Sequence, residues 1–314
     1  MNDTIRCCLA VAAFSMALPA AAKEDCPVVD LMPAYERVLA TDSGIDRFRD
    51  AVTRDHAEIY NAEYVNALLA PTFTVTEQDS LAWVRAHRDE VRAVHRQLVR
   101  DVPVYLEGFA KAFPDFRCDF TFYIAPGFGH LDGSAAVHDG RAMIVFAPDV
   151  IAKQHERDGL RMIIDQELFH IYQWQVTHGA FGSFSVGVPK TYQSAWSEGL
   201  ATYASWQMNP GSSLDEALLN ADLRAAAMPP QATLAAAMLE HLDDADPAFF
   251  AQYFTGGAHP PGAPPRSGYY IGLLVARDLA MTYPITTMAA LDDAQVRELL
   301  AARLRAIAAA DAAH

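Results

Sequence analysis

D-Q-E-L-F-H-I-Y, residues 165–172, sits in a helical stretch over 149–178, and W-S-E-G-L-A-T-Y, residues 196–203, follows it. Ile163, Ile164, Leu168, Ile171 and Trp174 make the first stretch apolar over most of its circumference, which is the pattern of a buried helix. Positions four apart on a helix share a face one turn apart. Gln166 and His170 are such a pair, with Glu167 between them. A buried acid and a buried imidazole need partners. Glu198 lies 28 residues after His170 (198 − 170), long enough for a loop and a return helix at about 192–207. Gly199 and Ala201 are small and permit close packing of that helix on the first.

The flanking sequence places this helix pair in a larger fold. C-D-F-T-F-Y-I-A-P (118–126) alternates Phe120, Phe122 and Ile124, the period of a strand, and R-A-M-I-V-F-A-P (141–148) reads as a second, more buried strand. Pro126 and Pro148 close them, and the glycine-rich G-F-G-H-L-D-G-S between them reads as a loop. Residues 29–69 read as helical with a break at T-D-S-G (41–44). Two more helices fill 79–112, with Pro103 at a boundary and Leu81, Val84, Val91, Val94 and Leu98 at helical spacing. Beyond the return helix, Ser213 and Glu216 form a capping box and Pro229–Pro230 opens another helix. The Pro- and Gly-rich stretch 256–268 is a surface loop, and helices at 269–283 and 292–311 finish the chain. The expected class is α+β, mostly helical, with a small β-sheet before the helix that holds residues 165–172. The expected regions are 23–116 (helical), 117–207 (sheet, motif helix and return helix) and 208–314 (helical).

Residues 1–22 read as a signal peptide: Arg6, an apolar run, then A-x-A at Ala20 and Ala22. The run is shorter than the roughly 20 residues of a spanning helix, so the expectation is an exported chain, periplasmic or secreted, with no membrane span after cleavage. Cleavage removes Asp3 and Arg6 together, so the net charge stays at −15. So acidic a chain repels nucleic acid and anionic lipid. Cys26 and Cys118 remain. In an oxidising compartment an isolated pair is most simply one disulfide, the other reading being two buried thiols.

The spacing of Gln166, Glu167 and His170 is that of H-E-x-x-H with one letter changed. In that motif two imidazoles converge on one zinc ion and the glutamate polarises its water. A catalytic zinc takes three protein ligands, and Glu198 supplies a candidate third.

Q-E-L-F-H, W-S-E-G-L-A-T-Y and S-G-Y-Y-I-G (267–272) together resemble the gluzincin peptidases. The likeness is strongest to a bacterial group of predicted zinc-dependent proteases that pair H-E-x-x-H with E-G-x-A and a later G-Y-x-x-G. It covers roughly residues 118–283 and implies a mostly helical, zincin-like fold with the small sheet preceding the motif helix. The resemblance implies that His170 and Glu198 are zinc ligands, with Gln166 in the third ligand position, and that Glu167 is the general base. It also implies that Tyr269 or Tyr270, with Arg266 nearby, stabilises an oxyanion. Residues 141–147 would then be the edge along which a peptide or protein substrate pairs.

Gln166 departs from the pattern. A neutral amide oxygen is a poor zinc donor beside an imidazole nitrogen. Two functions follow: an exported zinc-metallopeptidase-like hydrolase with a degenerate site, or a metal-free pseudopeptidase that binds a peptide or partner protein without cleaving it. In the second, Gln166 hydrogen-bonds Glu198 or nearby backbone, and Glu167 pairs with Tyr269, Tyr270 or Arg266. A helical adaptor with a coincidental motif is a third reading.

Overall fold

The computed structural model describes residues 26–40, 56, 59, 77–128, 132–138, 140–154, 160–181, 188–218, 230–255, 259 and 263–310. In chain order the elements are β1 (Val28–Asp30), α1 (Met32–Leu39), α2 (Glu77–Ala86), α3 (Arg88–Ala112), β2 (Phe120–Ile124), β3 (Gly133–His138), β4 (Arg141–Phe146) and α4 (Pro148–Gln154). There follow α5 (Leu160–Val176), α6 (Thr191–Met208), α7 (Leu214–Ala217), α8 (Gln231–Glu240), α9 (Pro247–Phe254), α10 (Ser267–Leu279), α11 (Ile285–Ala289) and α12 (Asp293–Ala310). The chain is α+β and mostly helical, with one mixed sheet in the order β1-β2-β4-β3. The signal-peptide stretch and the T-D-S-G break lie outside the described residues. Among the described residues no helix is long and apolar enough to cross a membrane.

The sheet corrects three sequence expectations. Val28–Asp30 is not helical. It pairs parallel with β2, Val28 opposite Phe122, and Leu31 N–H donates to the Ile124 carbonyl at 2.8 Å. A three-residue strand carries no readable period, and its place is fixed by the Cys26–Cys118 disulfide just before it. The last two residues of the presumed glycine-rich loop, Gly133 and Ser134, open strand β3, antiparallel to β4 with Ala135 opposite Ile144. Its alternation is hidden because its residues are small: G-S-A-A-V-H. Gly133 is required there, since a Cβ would come within 2.6 Å of the Phe146 ring. In consequence 141–147 is not an edge. β4 is flanked by β2 and β3, and the edge nearest the motif helix is β3.

Pro103 corrects a fourth. It lies inside α3, and the boundary falls at His87 instead. Pro103 and Val99, whose carbonyl loses its donor, are both on the exposed side of the helix, where water replaces the missing bond. Val91, Val94, Leu98, Val102, Leu106 and Phe109 line its buried face. Glu36 of α1 holds that helix by accepting from Arg88 Nε at 2.8 Å and Arg92 Nε at 2.9 Å.

Within the 149–178 stretch the described elements are α4 and α5. The buried Asp149 at the start of α4 accepts from the N–H groups of Gly127 and Phe128, at 2.8 and 3.0 Å, and so pins the turn after β2. The capping box is present, with Glu216 N–H donating to Ser213 Oγ at 3.3 Å. Helix α9 was not legible, and it begins at Pro247 with Asp246 accepting from Ala248 N–H at 2.9 Å.

Helix α5 is buried on every side, against β3 and β4, α3 and α6. Helix α6 packs between α5 and α10. The α6–α10 crossing is backbone on backbone: a Cβ on Gly199 would lie 2.2 Å from the Gly272 carbonyl carbon, and one on Gly272 would lie 2.1 Å from the Ala195 carbonyl oxygen. Neither obstacle is a side-chain tip that can swing away. Gly199→Ala should therefore cost about 2 to 4 kcal/mol of unfolding free energy in urea titrations. A loss below about 0.5 kcal/mol would show that the helices do not touch in this way.

Candidate functional site

Three helices deliver the site. Helix α5 contributes Gln166, Glu167 and His170 from one face. Helix α6 contributes Ser197 and Glu198, and α10 contributes Tyr269 with Arg266 at its N-terminal boundary. Gln166, Glu167, His170 and Glu198 are all buried, between 1% and 9% exposed. Ser197, Tyr269, Arg266 and Asp132 are the partly exposed members.

The polar contacts converge on the Glu198 carboxylate. His170 Nε2 lies 3.3 Å from Glu198 Oε2, and Gln166 Nε2 donates to the same oxygen at 3.4 Å. The Tyr269 hydroxyl donates to Glu198 as well. On the far side of the imidazole, Ser197 Oγ lies 3.4 Å from His170 Nδ1 and donates to Gln173 Oε1 at 3.1 Å. Glu167 turns away from this group toward the sheet, where its Oε2 accepts from the Ala135 N–H of β3 at 2.6 Å.

Electrostatics separate the two acids. Burial pushes Glu167 up from 4.5 to about 7. His170 and the Ala135 N–H oppose the rise, and Glu198 and Asp132 add to it. Burial acts on Glu198 in the same direction but is outweighed by His170, Tyr269 and Arg266, which hold it below its ordinary range. For His170 burial favours the neutral ring, and the Glu198 carboxylate overcomes it and raises the pKa. Burial, with Glu198 next to it, pushes the Tyr269 phenol well above its usual value, so this group donates and does not ionise.

The structure thus brings Gln166, Glu167, His170, Glu198 and Tyr269 together. It does not bring Tyr270, whose hydroxyl accepts from Gln231 Nε2 at 3.0 Å elsewhere. One turn of helix explains the choice. Tyr269 is three residues before Gly272, on the face that meets α6, whereas Tyr270 is rotated away from it. Sequence reasoning did not find Ser197, Gln173 or Asp132. A hydroxyl beside the glutamate of W-S-E-G was the only available signal.

As a metal site the donor set fits in part. The His170 imidazole and the Glu198 carboxylate are two donors of the kind zinc takes, already adjacent. Gln166 presents its amide nitrogen to Glu198. A half-turn of the amide would present oxygen to oxygen, which is favourable only with a cation or proton between them. Among the described residues no three His, Cys, Asp or Glu side chains are grouped to hold a metal ion. His170 and Glu198 are thus two donors, one short of the three protein ligands that a catalytic zinc takes.

No protein-family model, no curated protein and no solved structure matches this chain.

The raised Glu167 has a consequence for stability. Between about pH 4.5 and 7 the folded chain keeps a proton that the unfolded carboxyl has lost, so folding weakens as pH rises through that window. Asp149 and Asp165, each pushed up to about 6 by burial, act with the same sign. His170 does too, whereas Glu198 loses its contribution only on acidification below the ordinary carboxylate range. Chelator-treated protein should be most resistant to urea near pH 5 and weaker at pH 8. Glu167→Gln should remove part of that slope, on the order of 2 kcal/mol. An unchanged slope in the variant would mean that Glu167 is solvated and ordinary.

Proposed function

We propose that this chain is an exported, peptidase-like hydrolase of the zincin type with a degenerate metal site. The reading rests on one observation: Glu167, His170, Glu198 and Tyr269, from three helices, meet in one buried group beside the edge strand β3. His170 and Gln166 meet at Glu198 Oε2, Tyr269 acts on the same carboxylate, and Glu167 lies on the sheet side of the group.

His170 and Glu198 would hold the zinc, with Gln166 as the weak third donor. Bound zinc supplies a Lewis acid and lowers the pKa of a water to near neutrality. Glu167, held near neutral pH, accepts a proton and returns it to the leaving amine. Tyr269 stays protonated and donates to negative charge that develops on a carbonyl oxygen. Ser197 accepts from His170 Nδ1–H and fixes which ring nitrogen faces Glu198. An extended peptide would lie along β3, with Glu167 already bonded to that strand.

A second reading has its own support. Gln166 and His170 both satisfy Glu198 Oε2 directly, so the buried carboxylate is compensated without a metal. A pseudopeptidase that binds a peptide without cleaving it would look like this.

Zinc uptake and cleavage of an unfolded casein substrate, in wild type and Gln166→His, separate the two. The hydrolase reading expects measurable zinc and cleavage in wild type at micromolar zinc, with tighter zinc, by about tenfold or more, in the variant. Less than about a tenth of an equivalent of zinc in wild type, with cleavage only in the variant, would overturn it in favour of the pseudopeptidase.

A further inference from the structure

Among the described residues, Arg266 is the one cation of the site without a hydrogen bond. Its side chain is 22% exposed, and it makes a long ion pair with Asp132, 3.9 Å from Nη2 to Oδ2, too far for a hydrogen bond. Among the described residues its N–H groups have no acceptor. A guanidinium carries five N–H donors in a planar fork, and burying it without acceptors is costly. The cost is borne at a constrained position, because Arg266 takes a φ of 60°, in the left-handed region that most residues avoid. The next residue, Ser267, is 1% exposed and its hydroxyl also lacks a partner among the described residues.

The Arg266 side chain keeps some exposure to solvent. It stands over the Tyr269 ring, 5.7 Å from its centre, and Tyr269 in turn donates to Glu198. The neighbouring charges do not use it up. Glu198 is offset by His170 at 3.3 Å, and Glu167 is bonded to Ala135. The occupant that matches an unused fork is a planar group with two acceptor oxygens, because two parallel N–H···O bonds satisfy it where a single carbonyl does not.

We propose that Arg266 is the receptor for the terminal carboxylate of a peptide seated at the Glu167–His170–Glu198 group, so that the site takes peptides by their C-terminal ends. This rests on the peptide-binding reading of the same site, but not on zinc. Arg266 is a specificity-determining residue that touches the ligand's end.

Calorimetry on the full chain, with a chelator present, tests it with acetyl-Ala-Ala-Phe as the free acid and as the C-terminal amide. The free acid should bind about tenfold more tightly than the amide, as one charge-assisted bond would provide. Arg266→Gln should bring the acid to the level of the amide and leave the amide unchanged. Arg266→Lys, which keeps the charge and loses the fork, should retain part of the preference. Equal binding of acid and amide by wild type, binding of neither, or a preference that survives Arg266→Gln would each overturn the inference. If the glutamine variant does not fold, the wild-type comparison and the lysine variant decide it. A carboxylate preference in a chain that takes up no zinc would sink the hydrolase reading and leave this one standing. Zinc uptake and cleavage without the preference would do the reverse.

Discussion

The site depends on one buried charge. Glu198 is 4% exposed, and a carboxylate that far from water must be compensated or give up its charge. Here compensation comes from three directions. His170 and Gln166 reach it from the motif helix and Tyr269 from α10, and Arg266 adds its field from the same end of that helix. Removing any one leaves the acid under-satisfied, so the three helices are tied by the same carboxylate.

That convergence needs unusually close helices. Where Gly199 meets Gly272, α6 and α10 approach to backbone contact, and no side chain larger than hydrogen fits at either position. The glycine that follows Glu198 and the glycine three residues after Tyr269 are therefore parts of one device. They bring the phenol to the acid. The two short patterns E-G and G-Y-Y-I-G are separated by some seventy residues of sequence yet describe a single contact.

Much of this was legible. The largely apolar α5, the return helix and the strands at 118–126 and 141–148 followed from periodicity, because their residues are large and their environments uniform. The meeting of Gln166, Glu167, His170 and Glu198 followed from spacing. Other features were hidden for identifiable reasons. Strand β3 is built from glycine, serine and alanine, so its alternation carries no hydrophobic contrast. It is an edge only because β4 pairs on both sides, and register of that kind is a tertiary fact. The choice of Tyr269 over Tyr270 turns on helix rotation at the Gly199–Gly272 crossing. Pro103 misled because a proline on the solvent side of a long helix costs less than the rule suggests.

The most direct test of the account is a double-mutant cycle between His170 and Glu198, using His170→Gln, Glu198→Gln and the pair, with unfolding free energy read in chelator. If the imidazole and the buried carboxylate satisfy each other, the cycle should return a coupling of roughly 1 to 3 kcal/mol at pH 6. A coupling below about 0.3 kcal/mol, the level of independent sites, would mean that the two side chains do not share one pocket, and the functional case built on them would fall.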